Sequence, residues 1–126
     1  MEDEKWDEQS AMRRKILEYH AEFCKTLSNP VRLEILDLLI LEELTSRDIT
    51  KKLSHSNTSV YQHLRVMRRM RILNARKKGT ELYYMLANNK IAGAYRLMQD
   101  ALVQVMKGSV DTAKEAGAAM KGTVKQ

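Results

Sequence analysis

The sequence predicts a mainly α-helical fold that carries one small β-hairpin. Three observations lead there. Apolar residues recur at three- and four-residue steps from Met12 to Leu27, from Val60 to Met67 and from Ile91 to Met106, the spacing of helices with one apolar face. Two short β-prone runs, Leu73 to Lys77 and Glu81 to Leu86, flank a turn at Lys78, Gly79 and Thr80, where glycine supplies the permissive backbone. The third is size: 126 residues without an internal repeat sit in the single-domain range and bury one modest core.

Residues 1–9 are acidic and hold one aromatic, Trp6, so they read as a flexible terminus unless Trp6 docks on a partner. From Ser10 onward Met12, Ile16, Tyr19, Phe23 and Leu27 form an apolar stripe that is long for so small a core. An exposed stripe of this kind marks an interface. Ser28, Asn29 and Pro30 interrupt that helix and start another, because Asn29 can cap and Pro30 sits in a first turn whose N–H groups lack helical partners anyway. The second helix runs to about Leu41, with Val31, Ile35, Leu38 and Leu39 facing inward. Glu42 to Leu44 suits a short connecting strand. Thr45 then caps a short helix with Asp48 at the favourable third position, and Ile49 and Leu53 anchor it beneath the helix that begins near Asn57. Ser54 to Ser56 is the turn between the two, and Ser56 or Asn57 caps the second. After the hairpin, Asn88 or Asn89 opens a last helix carrying Ile91, Ala94, Tyr95, Met98, Leu102, Val105 and Met106 along one side. Beyond Gly108 the spacing of Val110, Ala113, Ala116, Met120 and Val124 is only weakly helical, and Gly108, Gly117 and Gly122 weaken it further. The domain reading is thus an acidic flexible N-terminus over 1–9, a folded domain over 10–107 with its first and last helices free to dimerise, and a flexible or weakly helical tail over 108–126.

Between Asn57 and Met70 the helical turn of about 100° per residue gathers Val60, Leu64 and Met67 on one side. Thr58, Gln62, Arg65 and Arg69 fall on the opposite side, with Tyr61 at its edge. That polar face offers a hydroxyl, an amide and two guanidinium groups, which read base edges and grip phosphates. From Thr58 to Thr80 there are seven Lys or Arg residues and no Asp or Glu. So one-sided a block repels itself unless it meets a polyanion. His63 lies near the buried sector and reads as a packing residue rather than a ligand.

Three segments in order, LSNPVRLEILDLL at Leu27 to Leu39, SNTSVYQHLRVMRRMRIL at Ser56 to Leu73 and RKKGTELYYML at Arg76 to Leu86, make the chain from Phe23 to Leu86 resemble the ArsR-type winged helix-turn-helix regulators of bacteria and archaea. The resemblance implies a dimeric winged helix-turn-helix that regulates transcription, as a repressor, by binding double-stranded DNA. Its Asn57 to Arg69 helix is expected in the major groove and its hairpin on flanking backbone. The candidate DNA contacts are Asn57, Thr58, Ser59, Tyr61, Gln62, Arg65 and Arg69 on the helix and Arg76, Lys77 and Lys78 on the hairpin. A winged-helix protein-interaction module and a non-specific architectural nucleic-acid binder remain as alternatives. One position departs from the pattern. Where the resembled regulators commonly have glycine at the end of the reading helix this chain has Arg71, whose left-handed conformation costs roughly 1 kcal/mol more than glycine, so the helix is expected to end differently.

The resemblance also raises metal sensing, and the residues count against it. Relatives that sense arsenic or cadmium place a Cys-x-Cys pair near the helix before the reading helix, whereas LEELTSRDITKKL here contains no Cys or His. Other members use Asp and His on the last helix, but Asp100 is followed by Ala101 and Leu102, and no histidine occurs after His63. His20 and Cys24 stand one turn apart on the first helix; two ligands per subunit would give four across a two-fold axis, but spacing alone is weak evidence and the pair reads rather as a partly buried thiol beside a structural histidine. No metal site or cofactor is expected, and the sequence names no effector. Catalysis has no support, for the chain lacks a phosphate-cradling glycine loop, a nucleophile elbow and a metalloprotease helix.

Charge and composition agree with a polyanion partner. The net charge is +6, and the first ten residues hold five acids against Lys5, so the rest of the chain is more basic than the total. No apolar run approaches a membrane span and the N-terminus is acidic rather than signal-like. The expectation is a cytoplasmic protein with no membrane partner. A single cysteine, Cys24, excludes an internal disulfide framework.

Overall fold

The computed structural model describes residues 2–125, with side chains described for 7–109 and 114–117. The elements in order are α1 (Glu2–Thr26), α2 (Pro30–Leu41), β1 (Leu44–Thr45), α3 (Ser46–Leu53), α4 (Asn57–Arg69), β2 (Leu73–Lys78), β3 (Glu81–Leu86) and α5 (Asn89–Lys125). The chain divides into two units, Met1–Asn88 and Asn89–Gln126.

In the first unit, α1 starts at Glu2 rather than near Ser10, in keeping with acidic residues in a first turn, where they meet the positive end of the helix dipole. The side chain of Trp6, whose docking was the one exception to a flexible terminus, lies outside the described residues. Asn29 caps α2 as expected, its side-chain oxygen accepting from the N–H groups of Val31 at 2.9 Å and Arg32 at 3.3 Å, with Pro30 in the first turn. Thr45 caps α3 through a full capping box: the Asp48 N–H donates to the Thr45 hydroxyl at 3.2 Å, and the Thr45 N–H donates back to the Asp48 carboxylate at 3.4 Å. Of the two candidates at the head of α4, Ser56 is the cap, accepting from Ser59 N–H at 3.1 Å.

The core forms where α2, α3 and α4 meet the small sheet. Ile35 and Leu36 of α2, Ile49 of α3, Val60, Leu64 and Met67 of α4, Ile72, and Leu73 of β2 are fully buried. Leu36 was not on the inward face read from the sequence, and Val31 and Leu38 are only half-buried. The cause is that α2 touches α3, α4 and β3 together, so more than one side of it is covered. Burying a large aliphatic side chain contributes about 1.5–3 kcal/mol, while an exposed ion pair contributes about 0–1 kcal/mol. The three buried residues of α4 therefore set its rotation, and surface charge does not.

The sheet is antiparallel with strand order β1-β3-β2. β1 begins at Leu44, not at Glu42, because pairing starts where Leu44 meets Tyr84 and Thr45 meets Tyr83; Glu42 is the extended residue ending α2, its N–H bonded to Leu38 C=O at 3.3 Å. β2 and β3 pair from Leu73 with Leu86 to Lys78 with Glu81. The hairpin loop is therefore only Gly79 and Thr80. Gly79 has φ +64° and Thr80 is not in the left-handed region, the pattern of a type II′ turn, which asks for glycine first.

Arg71 overturns the expectation about the end of α4. It adopts φ 59°, the left-handed conformation usually filled by glycine, and the helix closes in the ordinary way: Ile72 N–H bonds Met67 C=O at 3.0 Å and Arg71 N–H bonds Arg68 C=O at 3.0 Å, the two bonds of a Schellman motif. Ile72 and Met67, the apolar pair that accompanies this motif, are both fully buried. Their burial outweighs the local backbone cost at Arg71. The second unit is α5 alone, which continues past Gly108 to Lys125. Each glycine costs about 1 kcal/mol in a helix, and the surrounding Ala, Lys, Glu and Met offset it. Of the weak stripe read there, Val110, Ala113, Met120 and Val124 have side chains outside the described residues.

Candidate nucleic-acid interface

With Val60, Leu64 and Met67 at zero exposure, the face of α4 opposite them is turned outward. Asn57, Thr58, Gln62, Arg65 and Arg69 are exposed, and Ser59 is half-buried, with its N–H used by the Ser56 cap. Tyr61, which the sequence left between core and surface, is 56% exposed. Its ring joins Arg65, Arg68, Arg69 and Tyr84 around a groove of about 400 Å³. Tyr84 reaches it from β3, and is itself only 4% exposed. Burial raises the Tyr84 phenol above its usual pKa, neighbouring Tyr61 adds to this, and Arg68 opposes it, so the hydroxyl remains a donor. The groove thus presents three guanidinium groups beside phenols, a set suited to a phosphate oxygen. A second groove of about 300 Å³ continues from Tyr61 and Tyr84 past Ser46 and Arg47 at the head of α3 to Thr80 at the hairpin tip.

Arg68 and Tyr84 were missing from the residues named on sequence grounds. Arg68 had a local signal, since Tyr61, Arg65 and Arg68 are spaced by the four- and three-residue steps that stack side chains on one helix flank. Tyr84 had none, because only the packing of β3 against the helices brings it there.

The orientation of α4 is held from behind by a polar brace. Arg32 of α2 donates from Nε to His63 Nδ1 at 3.1 Å and from a terminal nitrogen to the Thr26 carbonyl at the end of α1, 3.0 Å away. His63 is therefore a half-buried residue beside the core, as expected, and in addition a structural acceptor, which the sequence did not indicate. Burial lowers its pKa below the usual histidine value, and Arg32 and then His55 lower it further. Tyr19 of α1 adds a second tie, its hydroxyl donating to the Met70 carbonyl at 2.6 Å.

The hairpin cations do not act as one group. Successive residues of a strand point to opposite faces, and Leu73, on the core face of β2, puts Ala75 and Lys77 on its own side and Arg76 and Lys78 on the outer side. There one Arg76 terminal nitrogen donates to both carboxylate oxygens of Glu43 at 3.0 and 2.9 Å, and Lys78 Nζ to one of them at 3.2 Å. The Lys78 hydrogen bond, opposed by partial desolvation and reinforced by Arg76, holds the Glu43 carboxyl below its usual pKa. Lys78 also lies 5.0 Å from the centre of the Tyr83 ring. The structure brings Tyr61, Arg65 and Arg69 together; it turns Arg76 and Lys78 to the other face of the sheet. His20 and Cys24 are exposed on α1, so the expected partial burial of the thiol is not found; among the described residues no group of three or more His, Cys, Asp and Glu side chains is placed to hold a metal ion.

The family model described as bacterial regulatory protein, arsR family, matches residues 29–75, which span α2 to the start of β2. The chain is 34% identical over 82 residues to a transcriptional repressor SmtB homolog of Synechocystis, covering 65% of this chain and 62% of that protein's length. It is 37% identical over 95 residues to the uncharacterized HTH-type transcriptional regulator MT0088 of Mycobacterium tuberculosis, covering 71% of this chain and 80% of that one. Among solved structures it is similar to a homodimeric winged helix-turn-helix DNA-binding domain of Mycobacterium bovis, with TM-score 0.72 and 27% identity over 76% of this chain and 89% of the other.

Proposed function

This chain belongs to the arsR family of bacterial regulatory proteins, which makes it a DNA-binding transcription regulator of winged helix-turn-helix fold, and from that premise we propose that it binds operator DNA as a homodimer and represses transcription. The observation that carries the reading is the exposed face of α4. Because Val60, Leu64 and Met67 are locked in the core, Thr58, Gln62 and Arg65 face outward where base edges are read, with Asn57 and Ser59 at the helix head. Arg69 and Tyr61, with Arg68 and Tyr84 beside them, take backbone phosphate. Lys77 extends the contact from the hairpin. Exposed Met12, Ile16 and Tyr19 on α1, and Met98, Leu102 and Met106 on α5, support pairing with a second copy, and the M. bovis neighbour is a homodimer. Repression accords with the name of the Synechocystis relative. Working on chromosomal DNA, the protein acts in the cytoplasm; among the described residues no helix is long and apolar enough to cross a membrane.

Selection of bound duplexes from a random library tests this, and a palindromic consensus is expected. On that site Gln62→Ala and Arg65→Ala should each cost roughly 1–3 kcal/mol of affinity while affecting random duplex less. Equal losses on both DNAs would mean that α4 does not read bases.

A further inference from the structure

The seven basic residues between Thr58 and Thr80 look like one continuous attraction for DNA. The outer face of the sheet divides them. Glu43, just before β1, lies within hydrogen-bond reach of both Arg76 and Lys78, although it is more than thirty residues away in the chain. Strand order explains the meeting: β3 lies between β1 and β2, Thr45 pairs with Tyr83 and Arg76 pairs with the same Tyr83, and Glu43 shares the outer face with Thr45 by the two-residue alternation of a strand. The carboxylate meets its cations as a phosphate would, one guanidinium nitrogen shared between two oxygens and an ammonium on one of them.

We propose that Glu43 is a specificity-determining residue, which occupies Arg76 and Lys78 in place of a DNA phosphate and so weakens the sequence-independent grip of the hairpin. The inference rests on the DNA-binding reading above. Non-specific affinity is set by how many phosphates the protein neutralises and how many counterions are thereby released. With Glu43 in place, this three-residue cluster carries one net positive charge instead of two. Exchange of partners does not evade the effect: exposed ion pairs rearrange at little cost, but an Arg76 that leaves for a phosphate strands the Glu43 carboxylate beside a polyanion. Discrimination between sequences is then left to α4, where no acid faces Arg65, Arg68 or Arg69 within the stretch from Thr58 to Thr80.

The test is binding of the full chain to the selected operator and to random duplex across a salt series. Glu43→Gln keeps an oxygen acceptor for Arg76 and removes the charge. It should tighten random-duplex binding by roughly three- to tenfold near 0.1 M salt and steepen the slope of log K against log salt by about 1 to 2. The operator-to-random ratio should fall. Arg76→Gln with Lys78→Gln should abolish the gain in the Glu43→Gln background, because removal of the acid then frees no hairpin cation; Glu43→Ala provides the same comparison without any acceptor. Unmoved slopes in both Glu43 variants, with wild type still binding DNA, would overturn this inference alone, as would a gain from Glu43→Gln that survives the loss of both Arg76 and Lys78. A wild-type chain that binds no duplex at any salt would overturn the DNA reading together with it.

Discussion

His63 illustrates how a residue on the reading helix serves the fold rather than the interface. To accept from Arg32 Nε at 3.1 Å, its Nδ1 must carry no proton, and burial, Arg32 and His55 all lower its pKa. In the unfolded chain histidine titrates near 6.5, so as pH falls below that value the unfolded state binds the proton first. The brace contributes its full stability above about pH 6.5 and loses it as pH drops through the lower folded-state value. Urea unfolding at pH 7.5 and 5.5 should therefore show a larger loss for wild type than for His63→Gln. At the higher pH, His63→Gln should be less stable by roughly 0.5–1.5 kcal/mol, the worth of one hydrogen bond. An identical pH dependence in the two proteins would place the proton elsewhere. The same brace links the end of α1, through the Thr26 carbonyl, to α4.

At the scale of elements, α4 is defined by its two ends and its buried side. Its head is set by the Ser56 cap, its rotation by three fully buried side chains, and its end by a Schellman closure through a left-handed Arg71. That closure carries a backbone cost, so Arg71→Gly should stabilise the protein by roughly 0.5–1 kcal/mol despite the greater freedom of glycine in the unfolded chain. A higher urea midpoint at unchanged slope is the expected result; a midpoint that stays or falls would show that the Arg71 side chain makes up the difference. The hairpin depends on its ends as well. Gly79 permits a two-residue loop, and the resulting register sends Lys77 to one face and Arg76 with Lys78 to the other.

For the whole molecule the question is what covers the apolar side chains left outside the core. On α1, Met12 is 60% exposed and Ile16 50%; on α5, Leu97 is 71% exposed and Met106 69%. Scattered exposed apolar residues are ordinary, but these recur at helical spacing on two long helices, and association buries such stripes. Sedimentation at micromolar concentration should give the mass of a dimer, and Met98→Lys with Leu102→Lys should shift it toward monomer and weaken operator binding. A wild-type monomer under those conditions would remove the paired half-sites from the functional reading.

Much of this architecture is legible in the sequence because its signals are local. Asn29 with Pro30, Thr45 with Asp48, and Ser56 each mark a helix start within three residues; the spacing of Val60, Leu64 and Met67 separates the two faces of α4; and Gly79 marks the hairpin turn. The family resemblance rested on the order of those same segments. Other features depended on residues distant in the chain. Arg32 and His63 are 31 positions apart, and Glu43 and Arg76 are 33 apart; no local periodicity reports that they touch. The sequence counted Arg76 and Lys78 with Lys77 as one cationic tip, and it missed Arg68 and Tyr84. Charge and spacing along a chain describe which groups are available, whereas strand order, register and the pleat decide which of them share a face and are already occupied by a neighbour.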